Sequence, residues 1–356
     1  MGVISASTLQ AFASMELTIP DGTKSIQDSD IKLFIKDMAT EEDGTSMPGV
    51  FSSVNSLYSI MPMLIYTNPM LATTSMIVMT YAFMRYTGVA ELAAVHYNTL
   101  KTWADYLVDN ALFHRSEVTG DWFVGDAAGP SANMTNVALK GLIALRSMVE
   151  IQSSLIDKSS ESPKYLNAAN SGLKQWIQHS DYGTKVAYQS NARNYLLRAL
   201  YADKLLGLNF VPESVYQRQR AQFASGLKQY GVPLTDQNNF TTITHQYFTI
   251  AALTANNSSF LSNSAFRAIK NYTGSLINAD LAALADTYDA ATGAAAAGSA
   301  ARGSVGGSFT VLALKKGEVK QIHPIMVPTP NSTIKTPVAP NFMATVVAFV
   351  SLVFLI

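Results

Sequence analysis

The segment from Lys101 to Leu145 constrains this chain more than any other, because two helical patterns flank a loop rich in Gly, Asp and Asn. In the first pattern Leu100, Trp103 and Leu107 recur at three- and four-residue spacing, which places them on one helical face. After the loop GDAAGPSANMTN, an apolar helical pattern resumes at Val137. In a helical protein, such a loop is where side chains that bind or react with a ligand gather. The segment therefore predicts a helix–loop–helix unit with candidate site residues in its loop.

The same succession of helix, polar loop and helix continues along the chain and predicts an all-α fold. The expected helices are Leu92–Asn110, Thr135–Ser154, Pro163–His179, Ala192–Leu206, Pro212–Gln229, Thr244–Ala255 and Ser308–Leu314. Most have lengths of roughly 12–20 residues, which is typical of α/α hairpins, and the alternation typical of strands is scarce. The Ala- and Gly-rich stretch 291–307 has no Gly-Lys-Ser/Thr ending, so a flexible connection is expected there rather than a phosphate loop.

Three blocks of sequence resemble the fungal glutaminase A family. They are WADYLV with GDAAGPSANMTNVALKG (103–108 and 125–141), YADKLLGLN (201–209) with the later VY and YGVPL, and DTYD with ARGSVGG (286–289 and 301–307). The blocks occur in the family's order and span most of Met76 to Leu314. The resemblance implies an (α/α) six-hairpin toroid, incomplete here, whose loops line a cleft at one end. It also implies a hydrolase that converts L-glutamine to L-glutamate and ammonia.

The resemblance and the shifts in composition suggest four parts. Residues 57–318 are expected to form the helical toroid, and 1–56 to be an irregular remnant of an upstream region. Residues 319–340 form a Pro/Ser/Thr linker, and 341–356 an apolar tail. Within the first part of the toroid, the apolar run 57–84 is interrupted by prolines and has no basic flank, so buried helices are expected there rather than a membrane span.

Asp126 is the candidate catalytic residue. It lies in a Gly-bounded turn ahead of a helix and matches the second Asp of the family's DDFAG-like segment. Hydrolysis of an amide needs a proton donor and an activated water, and a carboxylate in a cleft can serve in these roles. The first Asp of the family's pair corresponds to Gly125 here, so the adjacent carboxylate is missing. Capping of the turn is the alternative role for Asp126.

Five residues are candidates for binding the substrate: Asn136, Lys140, Asp203, Asp289 and Arg302. Asn136 and Lys140 are one helical turn apart, so they share a face and could together orient a polar substrate. Asp203 matches a family position that could face the cleft. A surface salt bridge with the neighbouring Lys204 is its alternative.

The other two binding candidates flank the Gly-rich stretch. Asp286 and Asp289 are three residues apart, which on a helix would place both carboxylates on one face. Capping of a helix end is the alternative for this pair. Arg302 is the only charge in the stretch, and it either points into the cleft or is exposed on a loose loop.

Departures from the family pattern keep two other functions open. The family carries an acidic segment where this chain has only Met70–Ser75, and β-rich upstream domains that this chain lacks. If the missing segment supplies the general acid or base, the chain is a non-catalytic helical domain anchored to a membrane or wall. Six-hairpin toroids also serve as glycosidase scaffolds, so a carbohydrate-acting protein is the third hypothesis.

Composition excludes several classes of function. Lys and Arg together number 25, as do Asp and Glu, so no net charge attracts nucleic acid, and no nucleic-acid partner is expected. The chain has no cysteine, which excludes disulfides and thiolate nucleophiles. Its five histidines share no ligand spacing, so neither a metal nor a cofactor is expected. The expected partner is a small molecule, glutamine or a glycan.

Sequons and the C-terminal tail predict an extracellular or cell-surface location. The candidate glycosylation sites are Asn133, Asn239, Asn256, Asn257, Asn271 and Asn331. The chain opens without a signal-peptide pattern, which fits a truncated sequence. Five prolines between His323 and Pro340 precede an apolar terminus of about 15 residues, short of the roughly 20 that a span needs. This arrangement favours a glycolipid-anchor signal over a tail anchor, and in both cases the membrane is a partner.

Overall fold

Helices make up most of the described chain, and the predicted all-α class is confirmed. This computed structural model describes residues 69–114, 132–255, 259–275, 277, 284–296, 307–316 and 319–328. The helices are α1 (Pro69–Thr87), α2 (Glu91–Val95), α3 (Tyr97–Asn110), α4 (Thr135–Ser153), α5 (Ser162–Ser180), α6 (Leu200–Leu205), α7 (Glu213–Gly226), α8 (Ile243–Thr254), α9 (Ser259–Thr273) and α10 (Thr310–Lys316). A 3₁₀ helix spans Ser159–Glu161, and the strands are β1 (Phe240–Thr242) and β2 (Thr287–Asp289).

The described residues divide into two compact units. The first holds the described residues up to Asn110, those from Ala144 to Asn167, and those from Val319 onward. The second holds the described residues of Ala111–Ile143 and Ala168–Glu318. Helices α4 and α5 each contribute residues to both units.

The first unit is built on the packing of α1 against α3. Ile77 and Met84 on α1 are seven residues apart and have no exposed surface, and on α3 Trp103 and Leu107 are equally buried. Side chains at these spacings lie on one face of a helix, so each helix presents an apolar stripe. Burying a side chain of this size contributes roughly 1.5–3 kcal/mol.

The described part of the apolar run 57–84, from Pro69 onward, lies in one continuous helix, α1. The short stretch Met70–Ser75, expected to join two separate helices, lies inside α1 and is helical throughout. Pro69 occupies the first helical position, where its missing N–H leaves no hydrogen bond unmade. None of the helices in the described ranges combines the length and the apolarity that crossing a membrane requires.

The beginning of the predicted linker is hydrogen-bonded into the first unit. Lys320 N donates to the carbonyl of Arg85 at the end of α1 (2.9 Å), and Ile156 N donates to the Ile325 carbonyl (3.0 Å). Gly88, with φ +78°, is required at the turn after α1, because a Cβ there would stand 2.8 Å from the Gln321 carbonyl oxygen. These contacts leave residues 319–328 extended against the helices.

Helix α8 is the centre of the second unit, where it contacts α6, α7, α9 and α10. Phe248, Ile250 and Leu253 have no exposed surface. A helix that is apolar on all sides is a buried one. Its start is capped by Thr242, whose Oγ1 accepts a hydrogen bond from His245 N at 3.1 Å. The predicted helix Thr244–Ala255 is thus confirmed to within one residue.

The predicted helix Ala192–Leu206 is wrong in its first half, since only Leu200–Leu205 is helical. The backbone before it pairs with remote segments instead: Asn194 N donates to the Thr184 carbonyl (2.7 Å), and Tyr195 N donates to the Leu234 carbonyl (2.9 Å). These tertiary hydrogen bonds replace the local ones that a helix would make. Helix α9, by contrast, was not expected from the sequence.

A two-stranded antiparallel sheet lies beside α8. Strands β1 and β2 pair in the register Phe240↔Asp289, Thr241↔Tyr288 and Thr242↔Thr287. The hypothesis that Asp286 and Asp289 share a helical face is therefore wrong, because Asp289 lies in strand β2 and Asp286 directly precedes it.

Candidate functional site

Seven of the predicted site and glycosylation residues lie in the described part of the chain. Asp126, the candidate catalytic residue, and Arg302 lie outside the described residues, as do the sequons at Asn256, Asn257 and Asn331. The described ones are Asn133, Asn136, Lys140, Asp203, Asn239, Asn271 and Asp289. Three of these, Asn133, Asn136 and Lys140, lie at the start of α4.

His114 anchors the chain that leads into α4. Its carbonyl accepts a hydrogen bond from Asn133 N at 3.3 Å, and its ring Nε2 accepts one from Met134 N at 2.8 Å. Because Nε2 accepts, the proton of the neutral ring is assigned to Nδ1. His114 and Asn133 flank the sequence segment that contains Asp126. The described chain on either side of that segment is thus held together at the start of α4.

The first turn of α4 is held from two further directions. Trp176 on α5 donates its Nε1 hydrogen to the Thr135 carbonyl at 3.0 Å. Thr135 N donates to the Val186 carbonyl at 2.9 Å, and Tyr188 N donates to the Asn133 carbonyl at 3.2 Å. Tertiary hydrogen bonds thus fix the position of this helix terminus against α5 and residues 186–188.

Three rings pack together beside this helix start. His179 stacks on Tyr188 with ring centres 5.2 Å apart, and Phe113 meets both rings edge-on at 5.3 and 5.9 Å. The Tyr188 hydroxyl is buried and has no hydrogen-bond partner within the described ranges. Burial raises the pKa of this phenol, so it stays protonated at neutral pH. The rings form an apolar wall that carries one hydroxyl donor.

Asn136 holds the segment before α6 against α4. Its Nδ2 donates to the Leu196 carbonyl at 3.1 Å, and its Oδ1 accepts from Ala199 N at 3.3 Å. Both the nitrogen and the oxygen of the side-chain amide are thus hydrogen-bonded to the protein backbone. Asn136 therefore positions the backbone of residues 196–199 against α4.

Lys140, one turn after Asn136, is buried with only 4% of its surface exposed, and Arg198 is buried with 7% exposed. Burial lowers the pKa of Lys140 from 10.5 to about 7, and the charge of Arg198 is a second, smaller cause. An arginine keeps its charge at any pH that proteins tolerate. The arrangement therefore places a fixed positive charge beside an amine that titrates near neutrality.

Asp203 has a structural position. Its side chain has no exposed surface. Its Oδ1 accepts from Phe210 N at 2.9 Å and its Oδ2 accepts from the Tyr216 hydroxyl at 2.8 Å. Lys204 lies over the Tyr216 ring, 4.1 Å from its centre. Both carboxylate oxygens are thus occupied, and Asp203 connects the turn after α6 to α7.

Asp289 closes a turn and Asp286 contacts the first turn of α8, so the expected capping of a helix end before the Gly-rich stretch is not found, because β2 lies there. The Oδ1 of Asp289 accepts from Ala291 N at 2.8 Å and from Thr292 N at 2.9 Å, closing the turn after β2. The Oδ1 of Asp286 accepts from the Thr244 hydroxyl at 2.9 Å in the first turn of α8. An Asp that accepts from the backbone two and three residues on is typical of turns.

The described sequons differ in accessibility. Asn239 and Asn271 are exposed, whereas Asn133 is half-buried. Asn133 also has a positive φ of 55°, which asparagine adopts more readily than most residues. Asn271 Nδ2 donates to the Gln229 carbonyl at 3.2 Å.

Sequence reasoning missed Arg198 and Asn194. Both lie in the half of Ala192–Leu206 that was expected to be helical, where a charged or amide side chain is usually solvent-exposed. Asn194 is instead 5% exposed. Its Oδ1 accepts from Leu196 N at 3.3 Å, and its Nδ2 has no partner within the described part of the chain. Nothing in the local pattern signals this burial, because tertiary pairing causes it.

The side chains around the start of α4 suit an anionic or carbonyl group. Lysine, arginine and a phenol hydroxyl donate hydrogen bonds, and only the phenol also accepts one. Over the described ranges, no cluster of three or more His, Asp and Glu side chains could hold a metal ion. Hydrogen-bond donors therefore predominate among the side chains described near the start of α4.

Comparison with known proteins identifies one family. A model of the glutaminase A six helical-hairpin domain matches residues 70–312. Glutaminase A of Aspergillus oryzae is 30% identical over 248 residues, which are 67% of this chain and 34% of that protein. A probable glutaminase of Arthroderma benhamiae is 25% identical over 186 residues, 44% of this chain and 21% of its own length. The chain thus spans about a third or less of the length of these relatives.

Proposed function

The chain belongs to the glutaminase A family through its six helical-hairpin domain, and we propose that it hydrolyses the side-chain amide of L-glutamine to L-glutamate and ammonia. The observation that carries this proposal is the 30% identity to the Aspergillus oryzae protein, which bears the name of that activity. The start of α4 supports it, because the buried Tyr188 hydroxyl beside it has no hydrogen-bond partner among the described residues. A phenol hydroxyl can donate a hydrogen bond to an amide carbonyl.

Asp126 is the proposed catalytic carboxylate. Hydrolysis requires a general base to take a proton from water and a general acid to protonate the leaving nitrogen. A single carboxylate can perform both steps in turn, because the proton it takes from water is the one the leaving nitrogen needs. Asp126 belongs to the segment whose described flanks, His114 and Asn133, are joined by a hydrogen bond at the start of α4.

Asp126→Asn should lower ammonia release from L-glutamine by about 100-fold or more, because general acid–base catalysis typically contributes that much. The measurement is kcat for ammonia release by the purified chain. Asp109→Asn is the matched control, since Asp109 is exposed at the end of α3, and it should leave kcat unchanged. An Asp126→Asn variant with full activity would remove Asp126 from the mechanism.

Ammonia release and sugar release together test the two other functions. Gly125, in place of a second Asp, favours the non-catalytic helical domain. No ammonia release from this chain, together with release from a relative that retains both Asp residues, would support that domain. Release of reducing sugar from mannan or glucan would instead support a carbohydrate-acting protein.

We further propose that the protein works at the cell surface and is N-glycosylated at Asn239 and Asn271, whose side chains are exposed. Protein made by a secreting fungal host should lose mass on enzymatic removal of N-glycans. Peptide mass spectrometry should locate the modification at these two asparagines, and Asn239→Gln and Asn271→Gln should each remove one glycan. Finding both asparagines unmodified in secreted protein would contradict this proposal.

A further inference from the structure

Tyr188 carries a buried hydroxyl. The residue is 6% exposed, and nowhere in the described parts of the chain does its Oη atom find a hydrogen-bond partner. A buried hydroxyl without a partner costs free energy, because it has given up its hydrogen bonds to water. A phenylalanine would fill the same space without this cost. Stability alone therefore does not account for the hydroxyl.

The ring of Tyr188 is held by two other rings. His179 stacks on it with ring centres 5.2 Å apart, and Phe113 meets it edge-on at 5.9 Å. Phe113 is 51% exposed and His179 is exposed, so the cluster of rings lies at the surface of the second unit. Surface side chains change rotamer within nanoseconds, and rotation of these two rings can open the hydroxyl to a small ligand.

The turn that leads from α5 towards Tyr188 has a strained backbone. Three successive residues, Asp181, Tyr182 and Gly183, have positive φ values of 49°, 56° and 84°. A bulky residue such as Tyr182 rarely adopts this conformation. The turn is held by the Asp181 carboxylate, whose Oδ2 accepts from the Thr184 hydroxyl at 2.9 Å. Strained backbone occurs preferentially at functional sites, so this turn is a second sign, independent of the hydroxyl, of a function in this region.

Tyr188 contacts both described flanks of the segment that contains Asp126. Its ring packs against Phe113, which directly precedes His114, the last described residue before the segment. Its backbone N–H donates to the Asn133 carbonyl at 3.2 Å, just after the segment. Tyr188 is thus tied to the chain on both sides, in sequence, of the proposed catalytic carboxylate.

We propose that the Tyr188 hydroxyl donates a hydrogen bond to the carbonyl oxygen of the side-chain amide that is cleaved. The inference rests on the proposed function and names the residue that polarises the amide. Attack of water places negative charge on this oxygen, and a donor held in an apolar environment stabilises that charge in the transition state. The phenol keeps its proton throughout, because burial raises its pKa. The C–N bond breaks as the leaving nitrogen takes the proton that Asp126 accepted from water.

Two matched variants separate catalysis from stability. Tyr188→Phe should lower kcat for ammonia release about 100-fold or more, the loss typical of one oxyanion donor. Its urea midpoint of unfolding should be unchanged or higher, since no hydrogen bond within the fold is lost. Tyr272→Phe is the control, because the Tyr272 hydroxyl donates to the Ala285 carbonyl at 2.7 Å. It should lower the midpoint and leave kcat unchanged.

Two results with Tyr188→Phe would overturn the proposal. One is a kcat within about twofold of the wild type, which would show that the hydroxyl makes no contact that strengthens in the transition state. The other is a lower urea midpoint, which would show that the hydroxyl stabilises the fold.

Two ligands that cannot be hydrolysed test the hydrogen bond without turnover. L-Methionine sulfoxide has nearly the shape of L-glutamine, with a sulfoxide oxygen at the position of the carbonyl oxygen, and L-methionine lacks that oxygen. Calorimetric titration gives the ratio of the two affinities, using the sulfoxide epimer that binds more tightly. This ratio should favour the sulfoxide about fivefold more in the wild type than in Tyr188→Phe, the value of one hydrogen bond. Equal ratios in the two proteins would overturn the proposal, as would a wild type that binds neither compound at millimolar concentrations.

The outcome is separate from that of the proposed function. A preference for the sulfoxide that is lost in Tyr188→Phe, without ammonia release from L-glutamine, would leave the assignment of Tyr188 standing while the hydrolase proposal fails. Ammonia release that Tyr188→Phe does not change would do the reverse. Binding of mannose that depends on the Tyr188 hydroxyl, without a preference for the sulfoxide, would assign the hydroxyl to a sugar and overturn the inference.

Discussion

Raising the pH from 7 to about 9 should stabilise this protein against unfolding, and Lys140→Met should remove most of that gain. In the fold the pKa of Lys140 is about 7, because burial and the Arg198 charge both disfavour its protonated form, whereas its ordinary value is 10.5. Between these two values the unfolded chain binds one more proton than the folded chain. Stability therefore rises with pH in this window, and the cost of charging Lys140 is fully present below pH 7.

The expected gain is about 2 kcal/mol over these two pH units, since each unit with one proton difference is worth about 1.4 kcal/mol. Urea unfolding of the wild type and of Lys140→Met at pH 6, 7, 8 and 9 measures it. The difference between the two proteins cancels the contribution of every other titrating group. Parallel pH dependences for the two proteins would show that Lys140 is charged in the fold at pH 7 and above.

The pH range in which stability rises ends near pH 9.5 because of the buried tyrosines. Burial, together with the Asp203 carboxylate, raises the pKa of Tyr216. Tyrosines in the unfolded chain lose their protons near pH 10, before the buried ones do. Stability then falls with rising pH, in the opposite sense to the Lys140 effect. Measurements should therefore stop at pH 9.

Replacing Asp203 with alanine should lower the free energy of unfolding by about 2–4 kcal/mol. The carboxylate accepts from Phe210 N and from the Tyr216 hydroxyl, at 2.9 and 2.8 Å. Asp203→Ala leaves both donors buried and unmet, and it also leaves a small cavity between α6 and α7. Urea unfolding at pH 7 measures the loss.

Two further variants separate the hydrogen bonds from the volume. Asp203→Asn keeps the shape and one acceptor, so its loss should be about half that of alanine. Tyr216→Phe removes one donor, and combining it with Asp203→Ala should cost less than the sum of the two single changes, because the partners interact directly. Additive losses would show that the 2.8 Å contact contributes nothing to stability. A loss below about 1 kcal/mol for Asp203→Ala would contradict the structural role of this residue.

Helix periodicity predicted most of the helical scaffold because the relevant physics is local. Helices α4, α5 and α8 were placed to within one or two residues by the spacing of their apolar side chains. Residues 192–199 were misplaced for the complementary reason. Their composition suits a helix, but their backbone pairs with residues 184 and 234, far away in the sequence. Such tertiary hydrogen bonds override the helix propensity of the segment.

The candidate site was predicted less completely, and its residues show why. Asn136 and Lys140 were placed on one face of a helix, and the structure has both in α4. The side chain of Asn136, however, is hydrogen-bonded to the backbone of Leu196 and Ala199. No local sequence pattern reveals these partners. Arg198 was missed because its burial follows from the same tertiary pairing. Asp126 remains a sequence prediction, since it lies outside the described residues.

By itself the sequence determined the class of fold, the family and the order of most helices. These follow from the period of apolar residues and from motifs that are contiguous along the chain. Only the tertiary structure decided that Asp203 is structural and that Lys140 and Arg198 lie together in a buried place. Burial and charge proximity depend on which segments come into contact in the fold, and Lys140 and Arg198 are 58 positions apart in the sequence. The free energy of desolvation is set by such tertiary contacts and not by the adjacent residues of the chain.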